Sequence, residues 1–140
     1  MQEALDQPPA RLTRIIYVED DALMGDMVKE LLTDAGYLIG VVGHGTLAYE
    51  TIAFKKPDLV ILDRSLPGMQ GLEILQRLRA APETYLIPIL MLTAQGGEDM
   101  IDEGLGAGAS GYLIKPFDPD ILVLRVGEIL KESLFKHNLR

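Results

Sequence analysis

Four places in the sequence share one pattern, an apolar run that ends directly at a charged or hydroxyl-bearing residue. The residues at these run ends are Glu19, Asp20 and Asp21 after Val18, Asp63 after Leu62, Thr93 after Leu92, and Lys115 after Ile114. Carboxylate oxygens without Cys or a His pair favour a hard cation, Mg²⁺ first and Mn²⁺ or Ca²⁺ next. A hydroxyl and an ammonium beside Asp63 would supply the hydrogen-bond donor and the fixed cation that a phosphoryl group on that aspartate requires. We therefore interpret Asp63 as a nucleophile.

Each of these residues also has a purely structural interpretation. Asp63 precedes the turn at Pro67–Gly68, and Asp is among the commonest turn residues, so taken alone it could simply form the turn. Thr93 could cap the next loop, and Lys115 could be a solvated lysine before a turn. The coincidence of four run ends with complementary chemistry favours the functional interpretation.

Strands and helices alternate along the chain and must position these residues. The predicted strands are Arg14–Val18, Tyr37–Val42, Leu59–Leu62, Pro88–Leu92 and Gly111–Ile114, and the predicted helices are Ala22–Ala35, Thr46–Lys55, Gly71–Ala80, Glu98–Leu105 and Pro119 to about Phe135. This alternation predicts right-handed crossovers and a parallel sheet covered on both faces. The fold class is therefore α/β, with a doubly wound five-stranded parallel sheet flanked by five helices. Its strand ends meet at one edge, where such folds bind ligands.

Length and composition set further bounds. The 140 residues, 48% of them hydrophobic, predict one compact domain over residues 14–137, with a flexible leader at 1–13 and a short tail at 138–140. The sequence has no signal pattern and no apolar run long enough for a membrane helix, so we expect a soluble cytoplasmic protein without a membrane partner. A net charge of −8 argues against nucleic acid as a partner of this domain.

Five motifs occur in an order and spacing that resembles the receiver domain of two-component response regulators. They are Val18–Asp21 (VEDD), Pro57–Asp63 (PDLVILD), Leu66–Met69 (LPGM) with Gly71, Met91–Ala94 (MLTA) and Gly111–Phe117 (GYLIKPF). The resemblance covers nearly everything but the leader. It implies a flavodoxin-like sheet with the strand order 2-1-3-4-5.

The resemblance also implies roles for residues of the acidic cluster. Asp63 matches the aspartate that accepts a phosphoryl group from a histidine kinase or a histidine phosphotransfer domain. Asp20 matches a direct Mg²⁺ ligand and Glu19 a residue that acts on the metal through water, while Asp63 and the backbone carbonyl of Ser65 complete the expected metal ligands.

Further roles follow from the same resemblance. Thr93 matches the switch hydroxyl that moves toward the phosphoryl group, and Tyr112 matches the aromatic residue that follows it, although Tyr112 could also be only a sheet-edge aromatic. Lys115 matches the lysine that pairs with a phosphoryl oxygen, and Lys115–Pro116 resembles the cis peptide of the family. The implied output is a change in the fourth helix, the fifth strand and the fifth helix. At most, self-phosphorylation and autodephosphorylation would be catalysed.

Other functional classes remain open from the sequence. One alternative is an unphosphorylated adaptor on the same scaffold, which weak Mg²⁺ binding would favour. An aspartyl-phosphate phosphatase is less favoured, because such enzymes place a second Asp two residues after the nucleophile, where Ser65 stands. A flavin carrier is less favoured because Glu19–Asp21 would repel the flavin phosphate.

The last predicted helix has two apolar arcs. At 100° per residue, one arc is expected to face the core and consists of Leu122, Val123, Val126, Ile129, Leu130 and Leu134. Ile121, Leu124 and Phe135 lie on the opposite side. We interpret this second stripe as a surface for a partner or for homodimerisation.

Overall fold

The computed structural model describes residues 11–138 and contains a single five-stranded parallel sheet in that range. The strands are β1 (Arg14–Val18), β2 (Leu38–Val42), β3 (Leu59–Leu62), β4 (Ile89–Thr93) and β5 (Gly111–Ile114). Their order is β2-β1-β3-β4-β5, as predicted. The parts of the leader and tail at residues 1–10 and 139–140 lie outside the described residues.

Five helices connect the strands or follow the last one. They are α1 (Ala22–Asp34), α2 (Gly45–Lys55), α3 (Gly71–Ala80), α4 (Glu98–Gly106) and α5 (Pro119–Asn138). The predicted bounds of α3 were correct. The helices α1, α2 and α4 differ from the prediction by one residue at one end, and α5 ends three residues after Phe135. Among the described residues, no helix has the length and apolar character needed to cross a lipid bilayer.

The sheet is the centre of two hydrophobic clusters, one on each face. Along β1, Ile15 and Tyr17 join one cluster while Ile16 and Val18 join the other, as the alternation of side chains in a strand requires. Every residue of β3 and β4 is buried, which is the behaviour of central strands covered by helices on both faces. The sheet therefore forms a rigid base for the residues that follow its strands.

The segment after β3 is held by close backbone approaches. The amide of Gly45 donates to the carbonyl of Pro67 at 2.8 Å, and the amide of Gly71 donates to the carbonyl of Arg64 at 2.9 Å. A Cβ atom at Gly71 would overlap the carbonyl of Asp63 and would lie 2.7 Å from the Cα of Arg64. Only glycine allows α3 to begin this close to Asp63.

The core contacts of α5 differ from the prediction at one residue. Leu122, Val126 and Ile129 are buried as expected, but Leu134 is 65% exposed, so its placement in the core was wrong. The physical reason is length. A helix of 20 residues is about 30 Å long, whereas the four residues of β5 span only about 13 Å. The last turns of α5 therefore extend past the sheet.

Candidate functional site

The structure places an acidic cluster at the carboxyl ends of β1 and β3. These strands are neighbours, with Val18 opposite Leu62, so the residues that follow them lie side by side. Carboxylate oxygens of Glu19, Asp20 and Asp63 all lie within 4.8 Å of one another. Glu19 and Asp63 are buried, whereas Asp20 is exposed.

Lys115, which follows β5, reaches this cluster. Its Nζ lies 2.9 Å from Oδ2 of Asp63 and also donates a hydrogen bond to Oε1 of Glu19. Burial acts to lower the pKa of the Lys115 ammonium, but its bonds to Glu19 and Asp63 outweigh burial and raise the pKa above its ordinary value. Lys115 is therefore a fixed cation that bridges two acids.

Tyr17 adds a second donor to Glu19. Its phenol donates a hydrogen bond to Oε1 of Glu19 at 2.8 Å, and the backbone amide of Asp21 donates to Oε2 at 3.3 Å. Burial, with the neighbouring charge of Glu19, raises the pKa of Tyr17 well above its ordinary value, so the phenol keeps its proton at neutral pH. With both oxygens of Glu19 engaged, the exposed Asp20 is better placed for direct contact with a cation.

Asp21 has a different task from its two neighbours. Its Oδ1 accepts a hydrogen bond from the backbone amide of Met24 at 3.1 Å, which makes Asp21 the N-cap of α1. The three consecutive acids thus divide between one helix cap and two members of the acidic cluster.

Gln95 connects the residues on the other side of Asp63. Its backbone amide donates to Oγ1 of Thr93 at 3.2 Å, and its carbonyl accepts from the phenol of Tyr112 at 2.5 Å. Its side-chain amide donates to the hydroxyl of Ser65. Thr93 is buried at the end of β4, and Tyr112 is half-buried on β5. Thr93 and Tyr112, the two residues expected to act as a switch, are therefore connected through the backbone of Gln95.

The oxygen donors of the cluster fit a hard divalent cation. All three side chains are carboxylates, the chemistry that Mg²⁺ prefers, and no sulfur ligand is present. The backbone amide of Ser65 donates to Oδ1 of Asp63 at 3.2 Å, so the segment that carries the expected carbonyl ligand lies against the cluster. Lys115 offsets part of the negative charge, and a metal ion would offset more of it.

The sequence did not single out two residues in and around the site. They are Tyr17, which binds Glu19, and Arg64, which follows Asp63 and binds α4. Tyr17 precedes Glu19 by two positions in a strand, where alternate residues share a face, and this spacing was a usable signal. The remaining predicted residues, Ile121, Leu124 and Phe135, lie on α5 and are 42%, 57% and 64% exposed.

Comparison with known proteins identifies the class of the chain. The family model described as "Response regulator receiver domain" matches residues 15–127. The chain therefore belongs to the receiver domain family of response regulators, as its motifs predicted. Receiver domains of this family are signalling domains that work through phosphorylation and interact with histidine kinases or phosphotransfer proteins.

Individual relatives agree with this assignment. The phosphate regulon transcriptional regulatory protein PhoB of Pseudomonas aeruginosa is 40% identical over 119 residues, which are 85% of this chain and 52% of PhoB. The chain thus spans about half the length of the curated relatives it matches. A putative response regulator from Chloroflexus aurantiacus is 40% identical, with a TM-score of 0.82 over 86% of this chain and 99% of that one.

A third similar protein was solved in an activated form. The BeF₃-activated N-terminal receiver domain of RstA from Klebsiella pneumoniae is 34% identical, with a TM-score of 0.78. The match covers 84% of this chain and 98% of the RstA chain. The likeness therefore extends over nearly the whole of an isolated receiver domain.

Proposed function

We propose that Asp63 is the phosphoacceptor of this receiver domain. A carboxylate oxygen of Asp63 attacks the phosphorus of a phosphohistidine on a histidine kinase or a phosphotransfer domain. A phosphorus–oxygen bond forms, the phosphorus–nitrogen bond breaks, and the histidine ring leaves and recovers a proton. The observation that carries the proposal is the pairing of the buried Asp63 with Lys115 beside a second buried acid, Glu19.

The neighbouring side chains have complementary tasks. Lys115 neutralises charge on the phosphoryl oxygens, and the hydroxyl of Thr93 donates a hydrogen bond to one of them. Glu19, Asp20, Asp63 and the Ser65 carbonyl would hold Mg²⁺, which supplies further charge neutralisation when bound. The change then passes through Tyr112 to α4, β5 and α5.

Beryllofluoride tests this proposal, because it binds an aspartate as a phosphoryl mimic and was used with the similar RstA domain. With Mg²⁺ present, the wild-type protein is expected to form the adduct, and acetyl phosphate is expected to add one acid-labile phosphoryl group. Asp63→Asn should do neither. Asp21→Asn is the matched control, because it removes a neighbouring charge while the side chain can still cap α1.

Two outcomes would contradict the proposal. One is the absence of any adduct in a folded wild-type protein, which would favour the adaptor alternative. The other is an adduct that persists in Asp63→Asn, which would place the phosphoacceptor elsewhere.

We further propose that the domain acts in the cytoplasm and does not itself bind nucleic acid or membrane. The net charge of −8 repels a phosphate backbone, and this supports the proposal for the domain alone. Fluorescence anisotropy with labelled duplex DNA at low salt tests it, because low salt strengthens nonspecific binding. Salt-sensitive binding at micromolar protein would overturn it.

We also propose that the second apolar stripe of α5, formed by Ile121, Leu124 and Phe135, is a homodimer interface. Between its exposed apolar residues lie Glu128 and Lys131, which are also exposed. If two copies of α5 pack antiparallel about a two-fold axis, Glu128 of each copy can face Lys131 of the other. Wild-type protein should dimerise in sedimentation experiments, and Ile121→Lys with Leu124→Glu should be monomeric. A wild-type protein that stays monomeric with and without beryllofluoride would rule the interface out.

A further inference from the structure

Arg64 directly follows Asp63, and its backbone is fixed. Its carbonyl accepts a hydrogen bond from the amide of Gly71 at 2.9 Å. A Cβ atom at Gly71 would lie 2.7 Å from the Cα of Arg64, so the start of α3 is packed directly against this backbone. The Cα atom of Arg64 therefore cannot move unless the segment that carries Asp63 moves with it.

The other end of Arg64 is bound to α4. Its Nη1 donates to the backbone carbonyl of Met100 at 2.8 Å, and its Nη2 forms an ion pair with the carboxylate of Glu103. The guanidinium is well shielded, with Arg64 only 7% exposed. The nine residues of α4 include four acidic and no basic ones, so Arg64 provides a cation that the helix itself lacks.

Tyr112 and Gly104 belong to the same contact. A Cβ atom at Gly104 would lie 2.8 Å from Cε2 of Tyr112 and 3.9 Å from Nη1 of Arg64. The aromatic ring and the guanidinium therefore approach α4 at the same turn. Because the Tyr112 phenol also binds the Gln95 carbonyl, this turn of α4 is connected to the Thr93 side of the site.

We propose that Arg64 is a positioning residue that ties α4 to the phosphoacceptor segment, so that α4 follows rearrangements around Asp63. A shielded guanidinium that is left without its acceptors destabilises the folded protein. A shift of the segment must therefore move α4 as well, or break the contacts to Met100 and Glu103. Only the response of α4 to modification rests on the proposed function, because the tie is present in the unmodified protein.

The tie in the unmodified protein is tested by amide hydrogen exchange. Arg64→Met should accelerate exchange in α4 by about tenfold or more, since hydrogen bonds to a charged group are lost, while amides of β1 and β3 keep the wild-type rate. Arg77→Met is the matched control, because Arg77 pairs with Glu73 on the exposed side of α3. Unchanged exchange in α4 of Arg64→Met would overturn the proposal.

Two milder variants separate the tie from a general loss of packing. Arg64→Lys keeps the charge but cannot reach both acceptors with a planar fork, so it should restore part of the protection. Glu103→Gln leaves Arg64 in place and should give intermediate acceleration. If Arg64→Lys exchanges as fast as Arg64→Met, or if Glu103→Gln behaves as wild type, the ion pair is not the connection.

The coupling is tested with beryllofluoride and Mg²⁺. In wild type, the adduct should change exchange in α4. In Arg64→Met, the adduct should still form, but the change in α4 should be lost. A full response of α4 in Arg64→Met would overturn the coupling. A wild-type protein that forms no adduct would instead contradict the proposed function, and the exchange experiment on unmodified protein would still decide whether the tie exists.

Discussion

The ammonium nitrogen of Lys115 lies 2.9 Å from Oδ2 of Asp63, although 52 positions separate the two residues in the sequence. The same nitrogen bonds to Glu19, so one cation serves two buried carboxylates. The cluster with Asp20 therefore keeps an excess of negative charge, because three acids face one lysine. This excess of negative charge favours binding of a divalent cation to the cluster even when Asp63 carries no phosphoryl group.

Replacing Lys115 should destabilise the fold, because the charges of Glu19 and Asp63 are then no longer neutralised. Lys115→Met is expected to lower the free energy of unfolding by about 3 kcal/mol in EDTA, because two buried carboxylates lose their cation. Mg²⁺ should stabilise the variant more than it stabilises wild type, since the metal no longer competes with the ammonium. Urea unfolding with and without Mg²⁺ measures both effects. Lys29→Met, on the exposed side of α1, is the control, and equal stability of Lys115→Met and wild type in EDTA would contradict the prediction.

The neighbouring acids Asp20 and Asp21 should differ sharply in Mg²⁺ binding. Asp20→Asn is expected to raise the Kd for Mg²⁺ by about tenfold or more, because it removes a proposed ligand. Asp21→Asn should leave the Kd nearly unchanged, since Asp21 caps α1 and asparagine can cap equally well. Isothermal titration of the two variants side by side makes the comparison. A larger effect from Asp21→Asn would mean that the assignment of the two acids is reversed.

Two glycines make a matched pair for stability. Gly71→Ala should lower the free energy of unfolding by about 2 kcal/mol, because the new methyl group overlaps the backbone beside Asp63. Gly127→Ala should raise it by about 0.8 kcal/mol, since a Cβ atom there meets nothing within 4 Å and alanine favours the helix. Urea unfolding measures both, and beryllofluoride binding should weaken only in Gly71→Ala. An equal response of the two variants would show that the close approach at Gly71 is unimportant.

The sequence was sufficient to predict the strand ends that meet at the site. In a parallel sheet the carboxyl ends share one edge, so Asp63, Thr93 and Lys115 could be placed together without coordinates. The bounds of elements were less certain, because they depend on single hydrogen bonds. Tyr37 is excluded from β2 since its amide closes the end of α1 by donating to the carbonyl of Leu32, with Gly36 at a φ of +101°.

Other features depend on contacts between residues that are far apart in the sequence, and a local sequence pattern does not indicate such contacts. Arg64 finds its acceptors 36 and 39 positions away in α4, and nothing around residue 64 indicates which helix it will reach. Leu134 was placed in the core because its helical angle allowed it, but angle does not reveal that α5 extends beyond the sheet. Long-range partners and the relative lengths of packed elements therefore required the structure.

The acid stability of the domain should depend on Asp58, which lies before β3. Its carboxylate accepts hydrogen bonds from the guanidinium of Arg11 at 2.9 and 3.1 Å and from the amide of Arg14 at 2.8 Å. Partial burial acts to raise the pKa of Asp58, but these bonds outweigh it and hold the pKa below its ordinary value. A group with a depressed pKa stabilises the folded state above its unfolded pKa of about 3.9, and this stabilisation is lost as pH falls through the folded value.

Asp58→Asn should therefore be less stable than wild type by about 1 kcal/mol at pH 7, because the amide can replace only part of the bonding. The difference should shrink as the pH falls below about 4, where the Asp58 carboxyl of the unfolded chain takes up its proton while that of the folded protein is still ionised. Urea midpoints measured from pH 7 to pH 3 give the difference at each step, with Asp26→Asn on the exposed side of α1 as the control. A difference that stays constant over this range, or that grows toward low pH, would show that the ionised form of Asp58 does not stabilise the fold.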